Sequence, residues 1–127
     1  MSIIKVDYGT LGGGCKSGTV NNTTAASQTV TINTGLSSIT KFTLVATPSL
    51  SSYSDYRFVL THDGGNNYYN SAVIYTNGCY GQRGSVGSEA NIRAWKLESI
   101  SGGTVVVKSP SSDSNYGACK DIHWYAE

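Results

Sequence analysis

Hydrophobic and polar side chains alternate every second residue in several short segments of this chain, and that period is typical of β-strands rather than helices. The clearest example is residues 28–33, where Val30 and Ile32 alternate with polar residues. Similar segments predict further strands over residues 41–47, 56–62, 69–76, 92–99, 104–108 and 118–126. Runs rich in Ser, Gly and Asn separate these segments and favour turns. The pattern therefore indicates an all-β domain.

The C-terminal segment is the most informative of these predicted strands, because the chain ends there on large aromatic residues. Alternation places Ile122 and Trp124 on one face and His123 and Tyr125 on the other. Chain termini are usually poorly ordered unless they are tied into a sheet or a packed helix. We therefore expect the last strand to be part of the sheet, with Trp124 in the interior.

The number and spacing of the segments predict an antiparallel β-sandwich of about seven or eight strands, of a jelly-roll or lectin-like kind. A length of 127 residues is that of one domain. Residues 3–8 form a short alternating run, and the glycine-rich stretch that follows is too flexible for a strand interior. We therefore divide the chain into residues 1–14, an N-terminal attachment peptide with a glycine joint, and residues 15–127, the sandwich.

Two parts of the predicted sandwich remain open at this point. Residues 16–26 are polar and fit either a loop or an edge strand. Residues 80–91 are rich in Gly and Ser, which makes them the least predictable part of the chain.

Composition excludes several classes of partner. Charged residues make up 13% of the chain and its net charge is +1, with no basic run, which disfavours nucleic-acid binding. No apolar stretch is long enough to span a membrane. The N-terminus lacks the apolar core and cleavage site of a secretory signal, so we expect synthesis in the cytoplasm of the producing cell.

The three cysteines are Cys15, Cys79 and Cys119, and no CxxC motif is present. An odd number of widely spaced cysteines does not make a disulfide framework, so we expect reduced thiols and no zinc site. Whether Cys79 and Cys119 pair after release into an oxidising medium stays open.

The sequence predicts no enzyme, no metal site and no cofactor. No serine has a nucleophile-elbow context, and the two histidines, His62 and His123, lack metal-ligand spacing. The best acid pair for hydrolysis is Asp63 and Asp113, and both are expected to be turn residues instead. A small hydrolase is therefore the third alternative.

The candidate ligand site combines aromatic rings with amide, carboxylate and guanidinium groups, which suit the apolar faces and hydroxyls of a sugar. Its residues are Asp63, Asn66, Asn67, Tyr68, Tyr69, Tyr80 and Arg83. The competing interpretation is that these tyrosines cap the sandwich or pack a subunit interface.

Three segments carry a resemblance to known proteins: residues 3–9 with the glycine joint, residues 30–36, and residues 122–126. Together they resemble small structural proteins of bacteriophages and prophages, of the tail-tip, receptor-binding or fibre-like kind, and the trimeric H-type lectin sandwiches. The resemblance implies a homotrimer in the virion, assembled in the bacterial cytoplasm. Residues 1–14 would attach it to other virion proteins, and its loops would bind a host-surface glycan or protein.

The low charge of the chain also concerns the number of copies in the assembly. A sandwich with few charges has weakly protected sheet edges, and burial of those edges between copies removes that liability. The alternative function is a monomeric carbohydrate-binding module that recognises a neutral glycan.

Overall fold

The structure, a computed structural model, describes residues 14–20, 24–49, 56–62, 64–74, 78–88, 95–110 and 118–127. Its regular structure is entirely β, and no helix occurs in these ranges. The strands are β1 (Lys16–Val20), β2 (Thr29–Asn33), β3 (Phe42–Pro48), β4 (Tyr56–His62), β5 (Asn67–Ile74), β6 (Gly78–Ser85), β7 (Lys96–Ser101), β8 (Thr104–Lys108) and β9 (Cys119–Ala126). The all-β prediction is confirmed.

The nine strands form two antiparallel sheets. One has six strands in the order β1-β9-β3-β4-β5-β6, and the other has three in the order β2-β8-β7. Strands β3 to β6 form a continuous meander, whereas β9 returns from the end of the chain to lie between β1 and β3. This is the predicted antiparallel sandwich with slightly more strands than expected, because residues 16–20 and 78–85 also pair as β1 and β6.

The core lies between the two sheets, and alternation along each strand supplies it. Strand β3 contributes Phe42, Leu44 and Ala46, and β8 contributes Val105 and Val107 from the opposite sheet, all with no exposed surface. The core also contains Ile32, Phe58, Leu60, Tyr68, Trp95, Leu97, Cys119, Ile122 and Ala126. Full burial of each large aliphatic or aromatic side chain contributes about 1.5–3 kcal/mol.

The C-terminal strand is an interior strand of the larger sheet, as predicted. Ile122 and Ala126 are buried, and His123 and Tyr125 face solvent. Asp121 has a positive φ of 50°, and the register with β3 shifts at this point. This β-bulge adds one residue to β9, so Cys119 and Ile122 both face the core although they are three positions apart.

Trp124 also packs against the core, on the same face as Ile122. Its ring covers Gly18, the residue opposite it on β1. A Cβ atom at Gly18 would lie 2.8 Å from three atoms of the indole. Because Gly18 has no side chain, the indole ring of Trp124 can lie against the edge strand β1.

Several turns meet at one end of the sandwich, which we call the Gly103 end. It comprises the β7–β8 hairpin, the β4–β5 turn at Gly64, the β2–β3 connection and Glu127. Thr34 donates to the carbonyl of Gly103 from its amide, at 2.9 Å, and from its hydroxyl, at 2.6 Å. The amide of Thr40 donates to the carbonyl of Glu127 at 2.7 Å. Because β1 begins opposite Ala126, the described chain also starts at this end.

Candidate ligand-binding site

The β5–β6 hairpin positions the predicted site, and its register decides which side chains share a face. Asn67 lies opposite Ser85, and Tyr69 lies opposite Arg83. These four residues have the same parity along their strands, so they share the outer face of the six-stranded sheet. The structure therefore brings together three of the predicted site residues: Asn67, Tyr69 and Arg83.

Tyr69 and Arg83 form the centre of this outer-face group. Tyr69 is 48% exposed, the largest value among the exposed large hydrophobic residues of the described chain. The guanidinium carbon of Arg83 lies over its ring, 6.0 Å from the ring centroid, at the outer limit of a cation–π contact. Tyr69 and Arg83 are both exposed, so a ligand can reach them from solvent.

A shallow depression of about 510 Å³ lies beside this pair. Its lining residues are Asn67, Arg83, Gly84, Ser85 and Ser88. The lining combines an amide, a guanidinium and two hydroxyls, and Gly84 leaves backbone accessible. Such groups bind hydroxyl or anionic groups by hydrogen bonds. We call these residues with Tyr69 the outer site.

Tyr68 lies on the opposite face of β5 from Tyr69. It is fully buried, and its hydroxyl donates a hydrogen bond to the carbonyl of Ser88. Its structural position is therefore in the core, where it anchors the segment that carries Ser88 and offers no ring surface to a ligand. The prediction grouped neighbouring tyrosines that alternation places on opposite sides of the sheet.

Asn66 belongs to a different concavity, a cleft of about 370 Å³ at the Gly103 end. The cleft is lined by Ser38, Ile39, His62, Gly64, Gly65, Asn66, Val86, Ile100 and Gly102. The carbonyl of Asn66 accepts a bond of 2.8 Å from the amide of Val86. Asp63 and the side chain of Tyr80 lie outside the described residues, as does Asp113.

His62 has a structural part in this cleft. Its Nε2 lies 2.6 Å from the carbonyl of Gly65, and its Nδ1 accepts a bond of 3.2 Å from the amide of Gly64. With Nδ1 as the acceptor, Nε2 is the ring nitrogen that donates to the carbonyl of Gly65. The ring thus holds the β4–β5 turn, while the exposed His123 lies on the outer face of β9. Within the described ranges no group of three potential metal ligands occurs.

Cys119 and Cys79 lie on strands that are far apart in the six-stranded sheet. Cys119 is a fully buried thiol, and burial raises its pKa to about 12, against a smaller opposing effect of Trp95 and Thr24 beside it. Cys79 is on β6, four strand spacings from β9, which is roughly 19 Å. A disulfide requires Cα atoms within about 7 Å, so Cys79 and Cys119 do not pair in this fold.

Cys15 precedes β1 and lies beside the hydroxyl of Tyr125. The hydrogen bond between Cys15 and Tyr125 is the largest of the causes that raise the pKa of Tyr125 to about 12. The Tyr125 hydroxyl also donates to Oε2 of Glu127 at 3.3 Å. Tyr125 is thus a second exposed tyrosine of the outer face, 39% exposed, and the groups at its hydroxyl are a thiol and a carboxylate.

Sequence reasoning missed Ser85 and Ser88 as members of the outer site. Ser85 was recognisable in principle, because once the β5–β6 hairpin register is known it must lie opposite Asn67. Ser88 had no such signal, since its position depends on the bond from the buried Tyr68.

Comparison with known proteins gives no match to any family model, curated protein or solved structure. No helix capable of crossing a membrane is present in the described chain. The fold and the geometry of the outer site are therefore the basis for a functional proposal.

Proposed function

We propose that this protein is a non-enzymatic structural component of a bacteriophage or prophage particle, of the fibre or receptor-binding type, and that it adheres to a glycan on the host surface. The observation that carries the adhesive part is the exposed Tyr69 ring beside the guanidinium of Arg83. The virion part rests on the sequence resemblance described above.

A glycan fits the outer site by its chemistry. A sugar presents an apolar C–H face that packs on an aromatic ring, and hydroxyls that need hydrogen-bonding partners. Tyr69 supplies the exposed ring, while Asn67 and Ser85 supply short polar side chains next to it. A shallow open depression suits one or two sugar units at the surface of a polymer.

The strand order also suits a protein that is attached at one side and binds at another. Residues 1–14 would join the particle and lead into β1, whereas the outer site is on β5 and β6. Strands β1 and β6 are the two opposite edges of the six-stranded sheet. Five strand spacings separate them, about 24 Å, so attachment through the N-terminal peptide leaves the outer site accessible.

A glycan array tests the adhesive part of the proposal. We expect reproducible binding by the unmodified protein and loss of at least tenfold in affinity for Tyr69→Ala and for Arg83→Ala. Tyr125→Ala is the matched control, because Tyr125 is an exposed tyrosine of the same sheet face but lies three strands away on β9. Binding that survives both outer-site substitutions would refute the assignment of this site.

The alternative function is a monomeric carbohydrate-binding module for a neutral glycan. The described residues favour it in one respect, since both sheets of a single copy enclose a continuous core. The number of copies per particle in solution distinguishes the two functions.

A further inference from the structure

The charge of Arg83 has no counterpart in the described part of the chain. The ion pair found there joins Nζ of Lys96 to Oε1 of Glu98, 3.1 Å apart. Asp121 is on β9, four strand spacings from β6, or roughly 19 Å, and Glu127 directly follows that strand. The guanidinium of Arg83 therefore has the Tyr69 ring beside it and no described carboxylate to neutralise it.

From this arrangement we propose that the outer site binds an anionic sugar unit, one that carries a carboxylate or a phosphate. The inference rests on the proposed glycan-binding function and specifies its ligand class. The anion would lie on the guanidinium of Arg83, and the C–H face of the same or the neighbouring sugar would lie on Tyr69. Asn67 and Ser85 would bind the sugar hydroxyls.

The geometry of arginine favours this class over a neutral sugar. Its guanidinium presents a planar fork of N–H donors that matches two oxygens of a carboxylate or phosphate. A carboxylate or phosphate also adds the attraction of opposite charges to these hydrogen bonds. A neutral sugar hydroxyl accepts a hydrogen bond from Arg83 but has no opposite charge to attract the guanidinium.

The position of Arg83 over the ring adds selectivity. At 6.0 Å from the centroid, the guanidinium is near enough to Tyr69 for one sugar unit to contact both groups. A free anion without a sugar ring would gain only the Arg83 contact. We therefore expect an anionic sugar polymer to bind more tightly than inorganic phosphate at equal ionic strength.

Isothermal titration with matched probes tests the inference. The carboxylate probe is an oligogalacturonate, its fully methyl-esterified form is the neutral counterpart, and a polymer of hexose units joined through phosphodiesters is the phosphate probe. We expect one anionic probe to bind at least tenfold more tightly than the neutral ester and to weaken as salt is added. Which of the two binds identifies the source of the anion.

Variants of Arg83 test whether this residue is responsible. Arg83→Gln should reduce binding of the anionic probe to the level of the neutral ester, and Arg83→Lys should retain part of it because the charge remains without the fork. Lys16→Gln, which removes one positive charge from the exposed opposite edge of the sheet, should change nothing.

The possible failures are distinguishable. Equal binding of acid and ester, both lost in Tyr69→Ala, would leave the glycan site in place and overturn its anionic preference. Anionic binding that Arg83→Gln does not weaken would also overturn the inference. Absence of binding to all three probes would overturn it too, and the proposed function would then fall only if the glycan array were also negative.

Discussion

At the scale of single residues, some contacts between neighbouring segments of the backbone leave no room for an additional atom. Gly103 is the clearest case, because a Cβ atom there would lie 1.8 Å from the carbonyl oxygen of Leu36. The same glycine carbonyl accepts both bonds from Thr34. The β7–β8 hairpin is therefore held directly against the β2–β3 connection, and Gly103 cannot move away without loss of these bonds.

We expect Gly103→Ala to lower the free energy of unfolding by about 2–4 kcal/mol, since backbone must shift to relieve the overlap. Gly35→Ala is the control. Gly35 has a φ of +83° but nothing within 4 Å of its added Cβ, so it should lose only about 1 kcal/mol from backbone strain. Urea denaturation measures both values, and equal losses would contradict the steric explanation.

The buried thiol of Cys119 predicts a loss of stability at alkaline pH. Its pKa rises from 9.0 to about 12 in the folded state, so the folded chain keeps the proton over a range where the unfolded chain releases it. The contribution to stability is complete below pH 9 and decreases as the pH rises toward 12, by up to about 1.4 kcal/mol per pH unit.

Comparison with Cys119→Ala isolates this effect from the ionisation of tyrosines. The unfolding free energy of the unmodified protein should decrease more steeply than that of the variant between pH 9 and pH 10.5. Parallel curves in urea titrations at stepped pH would show that the thiol is not protected in the folded state.

At the scale of elements, the two-residue period located most of the sandwich, and its failures have identifiable causes. The strand predicted over residues 69–76 is observed as β5, Asn67–Ile74, and the one predicted over 104–108 matches β8. The sequence does not predict strand β6, because its eight residues include three glycines, which disfavour a strand by intrinsic propensity. Its pairing with β5 along the whole length overrides that preference.

The candidate site was harder to predict than the strands, because it depends on which residues share a face. Tyr68 and Tyr69 are adjacent residues of the same type, yet Tyr68 is buried and Tyr69 is 48% exposed. Only the register of the β5–β6 pair shows that Asn67, Tyr69, Arg83 and Ser85 belong together. Register depends on turn geometry and on tertiary packing, neither of which is explicit in the sequence.

Strand β9 should tolerate substitution on one face only. Ile122 is 1% exposed and lies in the core, so Ile122→Ala should lower the unfolding free energy by about 2–5 kcal/mol through the cavity it leaves. His123 faces solvent, and His123→Ala should change it by less than about 0.5 kcal/mol. Thermal denaturation measures both, and similar losses would contradict the position of β9 within the sheet.

At the scale of the whole molecule, the outer face of the six-stranded sheet is broad and weakly charged. The residues in register across it include Tyr125 on β9, Thr43 on β3, Thr61 on β4, and Tyr69 on β5. In a chain with 13% charged residues, such a face offers little electrostatic protection against association. This agrees with the proposal that several copies assemble, with residues 1–14 as the attachment to the particle.

Light scattering coupled to size exclusion tests the assembly. The proposed homotrimer predicts a mass of three chains, each of 13.4 kDa, at micromolar concentration. A clean monomer under these conditions would contradict the fibre-type proposal and would favour the carbohydrate-binding module.

The pairing of Lys16 with Ala126 has a practical consequence for engineering. Because the two strands run side by side, a linker of a few residues would join position 127 to position 14 without crossing the sandwich. New ends could then be opened at Gly35, where the surroundings are empty within 4 Å of an added Cβ. Such a circular permutant would retain every strand pair and would place its new ends in the β2–β3 connection.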